Sequence, residues 1–247
     1  MLKKLLGIKT FSVKDQKLFL KLSLDYNPAH ILEKKKTHQF NTKKPVVHGV
    51  NILLNSIEML LNFKKIKFQN MKCFFLKPIY LNEKIYFYLY FENKKEIYIE
   101  AQNKNKNICT KIIFFNSKNK ITNKFKEKNF RLIKLKKKSN TNPIKYLKNK
   151  YKINFNKEIK NNYYPFINKV FSKYFCEALF KTSYFIGMKC PGKNALFSNI
   201  DLNLKNFRNL KKYLIFYVSD YDKRIKLFTI TVQGYLNISL KSFHKIK

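Results

Sequence analysis

The spacing of apolar residues changes period several times along the chain, and each change marks an element. Over residues 11–23, Phe11, Leu18, Phe19 and Leu22 fall near helical spacing, with Ser12 placed as N-cap and Asp15 three positions later. This predicts a short helix. It runs into LDYNPAH, where Asn-Pro signals a turn and Pro28 biases Asn27 away from helical backbone. Residues 45–63, PVVHGVNILLNSIEMLLNF, are too continuously apolar for a surface helix, which predicts a buried one. From 66 to 115, runs rich in Tyr, Phe and Ile are broken by NEK, NKK and NKNKN, the pattern of an antiparallel meander.

Residues 117–160 carry mostly Lys and Asn with few apolar anchors and read as a solvated linker, with one local strand expected at Phe130 to Leu135. A second apolar helix is predicted over 166–186, with Gly187 as its C-cap and CPG after it. Strand-like runs fill 195–243.

Sliding the halves against each other exposes a repeat. Residues 68–94 lie without a gap on residues 197–223, so that Phe68 meets Phe197, Asn70 meets Asn199, Met71 meets Ile200, Cys73 meets Leu202 and Phe75 meets Leu204. Both copies follow a buried helix, and the shared order argues for duplication. The expected class is α+β: a double hot-dog, each repeat a long helix wrapped by an antiparallel sheet. The first repeat spans residues 1–116, the linker 117–160 and the second repeat 161–247.

The 247 residues include 53 Lys+Arg and 14 Asp+Glu, a formal net charge of +39. Such a field attracts polyanions. The lysines are scattered through every segment beside many Asn, Ile, Phe and Tyr, as an AT-rich coding sequence dictates through its codons, and most of the excess is assigned to that bias. Part of it suits the phosphates of coenzyme A; nucleic-acid binding stands as a minor alternative. Cys73, Cys109, Cys176 and Cys190 form no CxxC pair and sit in apolar runs, which predicts core packing in a reducing compartment. The apolar start of MLKKLLGIKTF is too short for a signal peptide and no later run approaches a membrane span, so a cytoplasmic protein is expected.

The candidate chemistry lies in LSLDYNPAH and PVVHGV, which have no counterpart in the second half. One site per chain follows. The fragment resembles the signature of MaoC-like dehydratases and (R)-specific, type 2 enoyl-CoA hydratases, roughly S-G-D-x-N-P-x-H, then P-[IV]-V-H-G before the hot-dog helix. Ser23, Asp25, Asn27, Pro28, His30, Pro45, Val46, Val47, His48 and Gly49 match, while Leu24 stands where the pattern has Gly. A backbone of positive φ there would strain Leu24.

The resemblance implies reversible hydration of a 2-enoyl thioester on coenzyme A or acyl carrier protein. Such a reaction needs a base for water, an acid for C2 and a donor for the enolate-like oxygen. By resemblance Asp25 orients and polarises the water and His30 exchanges the proton. The Gly49 N–H, at the start of the buried helix, is the candidate third group. Asn27 and His48 complete the substrate-binding side, Asn27 by holding the loop and His48 as a satisfied histidine rather than a catalyst. Ser56 lies near a family serine position but one residue out of phase and is left out. His30, His38 and His48 match no familiar ligand spacing, so no metal is expected, and no cofactor. The alternatives are a catalytically degenerate acyl-binding or scaffold protein, motivated by Leu24 and the basic linker, and a thioesterase, since the fold alone does not fix the reaction. Monomer and homodimer are both open.

Overall fold

The computed structural model describes residues 2–31, 44–64, 66, 68–91, 96–115, 149–153, 163–171, 174–193, 195–204 and 212–244. His38 and the strand expected at Phe130 to Leu135 lie outside them. The chain opens with β1 (Leu2–Thr10), α1 (Val13–Ser23) and a 3-10 turn (Pro28–His30), followed by α2 (Gly49–Phe63) and the meander β2 (Asn70–Phe75), β3 (Lys84–Phe91), β4 (Glu96–Gln102) and β5 (Ile108–Phe115). The second half begins with β6 (Asn149–Lys152), α3 (Pro165–Val170) and α4 (Phe175–Met188), then β7 (Ala195–Asn203), β8 (Tyr213–Asp222), β9 (Leu227–Gly234) and β10 (Asn237–His244).

All ten described strands join one antiparallel sheet in the order β1-β3-β4-β5-β2-β7-β10-β9-β8-β6. Read outward from its centre, each half repeats the same order, which is the double hot-dog arrangement. The halves meet at β2 and β7, with Asn70 opposite Asn203, Lys72 opposite Asp201 and Phe74 opposite Asn199. The shift that lays Phe68 on Phe197 carries the first of these pairs onto the last. It maps Lys72↔Asp201 onto itself, so the repeat read in the sequence is a two-fold axis through that pair.

Alternation explains which face is buried. Met71, Cys73, Ile85, Phe87 and Leu89 in one half, and Ile200, Leu202, Leu214 and Phe216 in the other, are sealed from solvent. They pack against α2 and α4, whose apolar residues point all round because sheet and helices enclose them. Ile57, Leu60 and Leu53 of α2 are fully buried, and each such side chain stabilises the fold by roughly 1.5–3 kcal/mol. All four cysteines are free and buried, and burial pushes the Cys190 thiol up to about 12. No described helix is long and apolar enough to cross a membrane.

Three details differ from the sequence reading. The single helix expected at 166–186 is two, α3 and α4, broken at Phe171. Gly187 is not a cap: α4 continues past it to Met188, with Lys189 at the cap position. Residues 149–152, inside the stretch read as linker, form β6 and pair with β8. Lys and Asn dominate that strand, and as the last strand of the sheet it has only one neighbour to satisfy.

Candidate active site

The site grows from the end of α1. Its N-terminus carries the expected capping box, with the Asp15 N–H donating to Ser12 Oγ and the Ser12 N–H donating to Asp15 Oδ2. At the C-terminus Leu24 adopts φ 58°, the left-handed conformation, and turns the chain sharply into Asp25. That is the backbone for which the family pattern has glycine. The Leu24 side chain is 44% exposed, so it points away from the buried Asp25 instead of filling the site.

The loop that follows is wired to itself and to both halves. The Asp25 N–H donates to Ser23 Oγ, the Asn27 N–H to Asp25 Oδ1, and the Ala29 N–H to Asn27 Oδ1. Asn27 Nδ2 reaches the Ala195 carbonyl of β7. Gln16 from α1 donates to the carbonyls of both His30 and Val46, 3.0 Å each, and the Val46 N–H returns a bond to the Ala29 carbonyl. Val46 also bridges to Tyr80. The two sequence motifs are thereby laid side by side.

Asp25, His30 and His48 converge: one polar side-chain atom from each lies within 4.8 Å of the others. His30 Nδ1 lies 2.8 Å from the Val46 carbonyl, which can only accept, so the proton sits on Nδ1 and Nε2 keeps its lone pair. His48 Nε2 likewise donates to the Asp25 carbonyl at 3.0 Å, leaving His48 Nδ1 buried and unpartnered among the described residues. The two imidazoles stack with centroids 3.6 Å apart and planes 26° apart. Phe19 of α1 lies 4.7 Å from the His48 ring.

Burial sets the protonation states. It raises the Asp25 carboxyl above its ordinary value, opposed by His30, the Ser183 hydroxyl and the Asn27 N–H. It lowers His30, opposed by Asp25 and the Val46 carbonyl. His48 is pushed well below its ordinary value by burial and by His30, so the 3.8 Å approach of its Nε2 to Asp25 Oδ2 is no ion pair.

Gly49 begins α2, where the first N–H has no carbonyl a turn back within the helix. It is tightly hemmed: a Cβ at Gly49 would stand 2.9 Å from the Phe75 ring, which packs edge-on against Phe197 of the second half. Asn27 and His48, placed on the substrate-binding side by sequence, are respectively 1% and 0% exposed and spend their hydrogen bonds on the chain's own backbone. Both hold the loop. Ser56 donates to the Ile52 carbonyl one turn back and takes no part in the site.

Two residues escape the sequence reading. Ser183 of α4 donates to Asp25 Oδ2 at 2.7 Å, and Gly187 of the same helix lies so close that a Cβ there would overlap Asp25 Oδ1. A small polar residue and a glycine four apart within an apolar helix were the available signal.

No family model matches the chain, and no curated protein matches it in sequence. Solved structures do. A MaoC-like dehydratase superposes with a TM-score of 0.60 at 7% identity, over 99% of this chain and 98% of that one. The full-length peroxisomal multifunctional enzyme type 2 from Drosophila melanogaster superposes at 0.52 with 8% identity, over 96% of this chain and 48% of that one. A tesB protein of Mycobacterium avium subspecies paratuberculosis covers 81% of this chain and 87% of its own at a looser 0.46, with 6% identity. Identities this low speak for architecture alone: the chain is a double hot-dog protein with the fold of a MaoC-like dehydratase.

Proposed function

We propose that this chain is an acyl-thioester hydratase, adding water reversibly across the double bond of a 2-enoyl thioester carried by coenzyme A or a carrier protein. The observation that supports it is the convergence of Asp25 and His30 beside the N-terminus of α2, on a loop held from both halves. A water between Asp25 and His30 Nε2 is oriented by the carboxylate and gives its proton to the imidazole as its oxygen attacks C3. The proton then passes to C2. The Gly49 N–H and the α2 dipole steady the negative charge on the thioester oxygen between the two steps. Dehydration runs the same path backwards. The net charge of +39 concentrates the phosphates of either carrier.

One observation favours a second reading. Both Asp25 oxygens already accept a hydrogen bond, and the residue is 3% exposed, as suits a silent acyl-thioester-binding protein. The test is incubation of the pure protein with crotonyl and longer enoyl thioesters on both carriers. Loss of the conjugated enone absorbance is expected. Binding without that loss selects the silent reading, and release of free thiol selects a thioesterase.

A further inference from the structure

We propose that His48 is a positioning residue, which sets the spacing and orientation of Asp25 and His30 through one hydrogen bond and one ring stack. The inference rests on the hydratase reading for its kinetic consequence and on geometry alone for the rest.

His48 touches both partners by different means. Its Nε2–H holds the main-chain carbonyl of Asp25 at 3.0 Å, which fixes where that residue leaves α1. Its ring stacks on His30 with centroids 3.6 Å apart, while the Val46 carbonyl accepts from the His30 Nδ1–H at 2.8 Å. A ring held by one hydrogen bond can still swing about it; a second ring against its face removes that freedom. Phe19 backs His48 from α1, and Phe180 of α4 backs Phe19 in turn at 5.3 Å. The stack therefore ties the proton-transfer ring to both halves of the molecule.

The arrangement works because His48 stays neutral. Among the described residues, Asp25 and His30 are the titratable groups that face it, Phe19 being the face that α1 presents. A neutral imidazole can lie beside His30 in either of its charge states, where a second imidazolium would repel it. His48 Nδ1 has no partner among the described residues, so none of them offers a competing bond that would draw the ring away from this pose.

Two substitutions separate the contacts. His48→Gln keeps an N–H donor within reach of the Asp25 carbonyl and removes the ring. His48→Phe keeps the ring and removes the donor. The chain has four histidines, so the ring nitrogens of His30 can be followed individually by NMR. In the wild type His30 is expected as the neutral Nδ1–H tautomer, titrating below its ordinary value. In His48→Gln water reaches the freed face, the His30 titration moves up, and the Nδ1–H signal gives way to a tautomer mixture. His48→Phe keeps the wild-type His30 signals. Each variant is expected to lose about tenfold in kcat with little change in KM, as for a misplaced proton-transfer pair. The acid limb of the pH profile moves to higher pH in His48→Gln alone, because His30 must be neutral to accept a proton.

Unchanged His30 signals in His48→Gln, with that variant folded, would overturn the positioning role. So would equal effects of the two substitutions on the His30 titration. A wild type inert on every enoyl thioester defeats the hydratase reading instead, and the NMR comparison still decides the role of His48.

Discussion

At the scale of single residues, the site sets geometry above backbone propensity in two places. Leu24 holds a left-handed backbone that costs a side-chain-bearing residue roughly 1–2 kcal/mol, and its exposed side chain returns little. Leu24→Gly is expected to raise stability by about 1 kcal/mol in urea denaturation. Gly187 shows the reverse. Helix propensity alone makes Gly→Ala favourable by about 1 kcal/mol, but here the new Cβ would drive out the Asp25 carboxylate. Gly187→Ala should lose stability, and enone loss should slow by about a hundredfold, as when an acid-base group is displaced. Protonation adds a third cost. His30 and His48 are both held below their ordinary 6.5, so the unfolded chain binds protons that the folded chain refuses as pH falls through that value. Stability is lost on acidification, while Asp25, raised from 3.8, works in the opposite sense. Urea midpoints at about pH 7.5 and pH 5.5 should therefore fall less in His48→Gln than in the wild type.

At the scale of elements, local chemistry and long-range register divide the work. The capping box of α1 was legible because Ser12 and Asp15 act within one turn. Ser12→Ala should cost about 1 kcal/mol in thermal or urea unfolding and leave turnover of the folded protein intact, since the cap lies at the far end of α1 from Asp25. The buried helices were legible from continuous apolar runs, and β2, β3, β7 and β8 from alternation. β1 escaped because Leu5 and Ile8 are exposed on an edge strand whose pattern is broken by a bulge between Leu5 and Gly7, and β6 because lysines fill it. The break between α3 and α4 escaped because nothing at Phe171 interrupts the apolar pattern. Lys72 and Asp201 face each other at 3.8 Å on the two-fold axis, but both are about a third exposed, and such a pair contributes at most about 1 kcal/mol. Met71, Cys73, Ile200 and Leu202 set the register there, since a one-residue slip of either strand would turn that strand's two buried residues outward.

At the scale of the whole molecule, duplication explains why both halves of one chain meet at Asp25 and why the second half's share was invisible in sequence. The motif residues lie in the first half, yet Ser183 and Gly187 reach Asp25 from a helix whose sequence carries no motif, and Ala195 holds Asn27. Only the fold brings those partners together, across 158 positions in the case of Ser183. The most direct measurement is the rate of enone loss for the wild type, Asp25→Asn and His30→Ala on one enoyl thioester, each shown to be folded. The expected result is turnover by the wild type and a loss of about a hundredfold or more in both variants. Equal rates in all three would contradict the assignment of Asp25 and His30 as the proton-transfer pair.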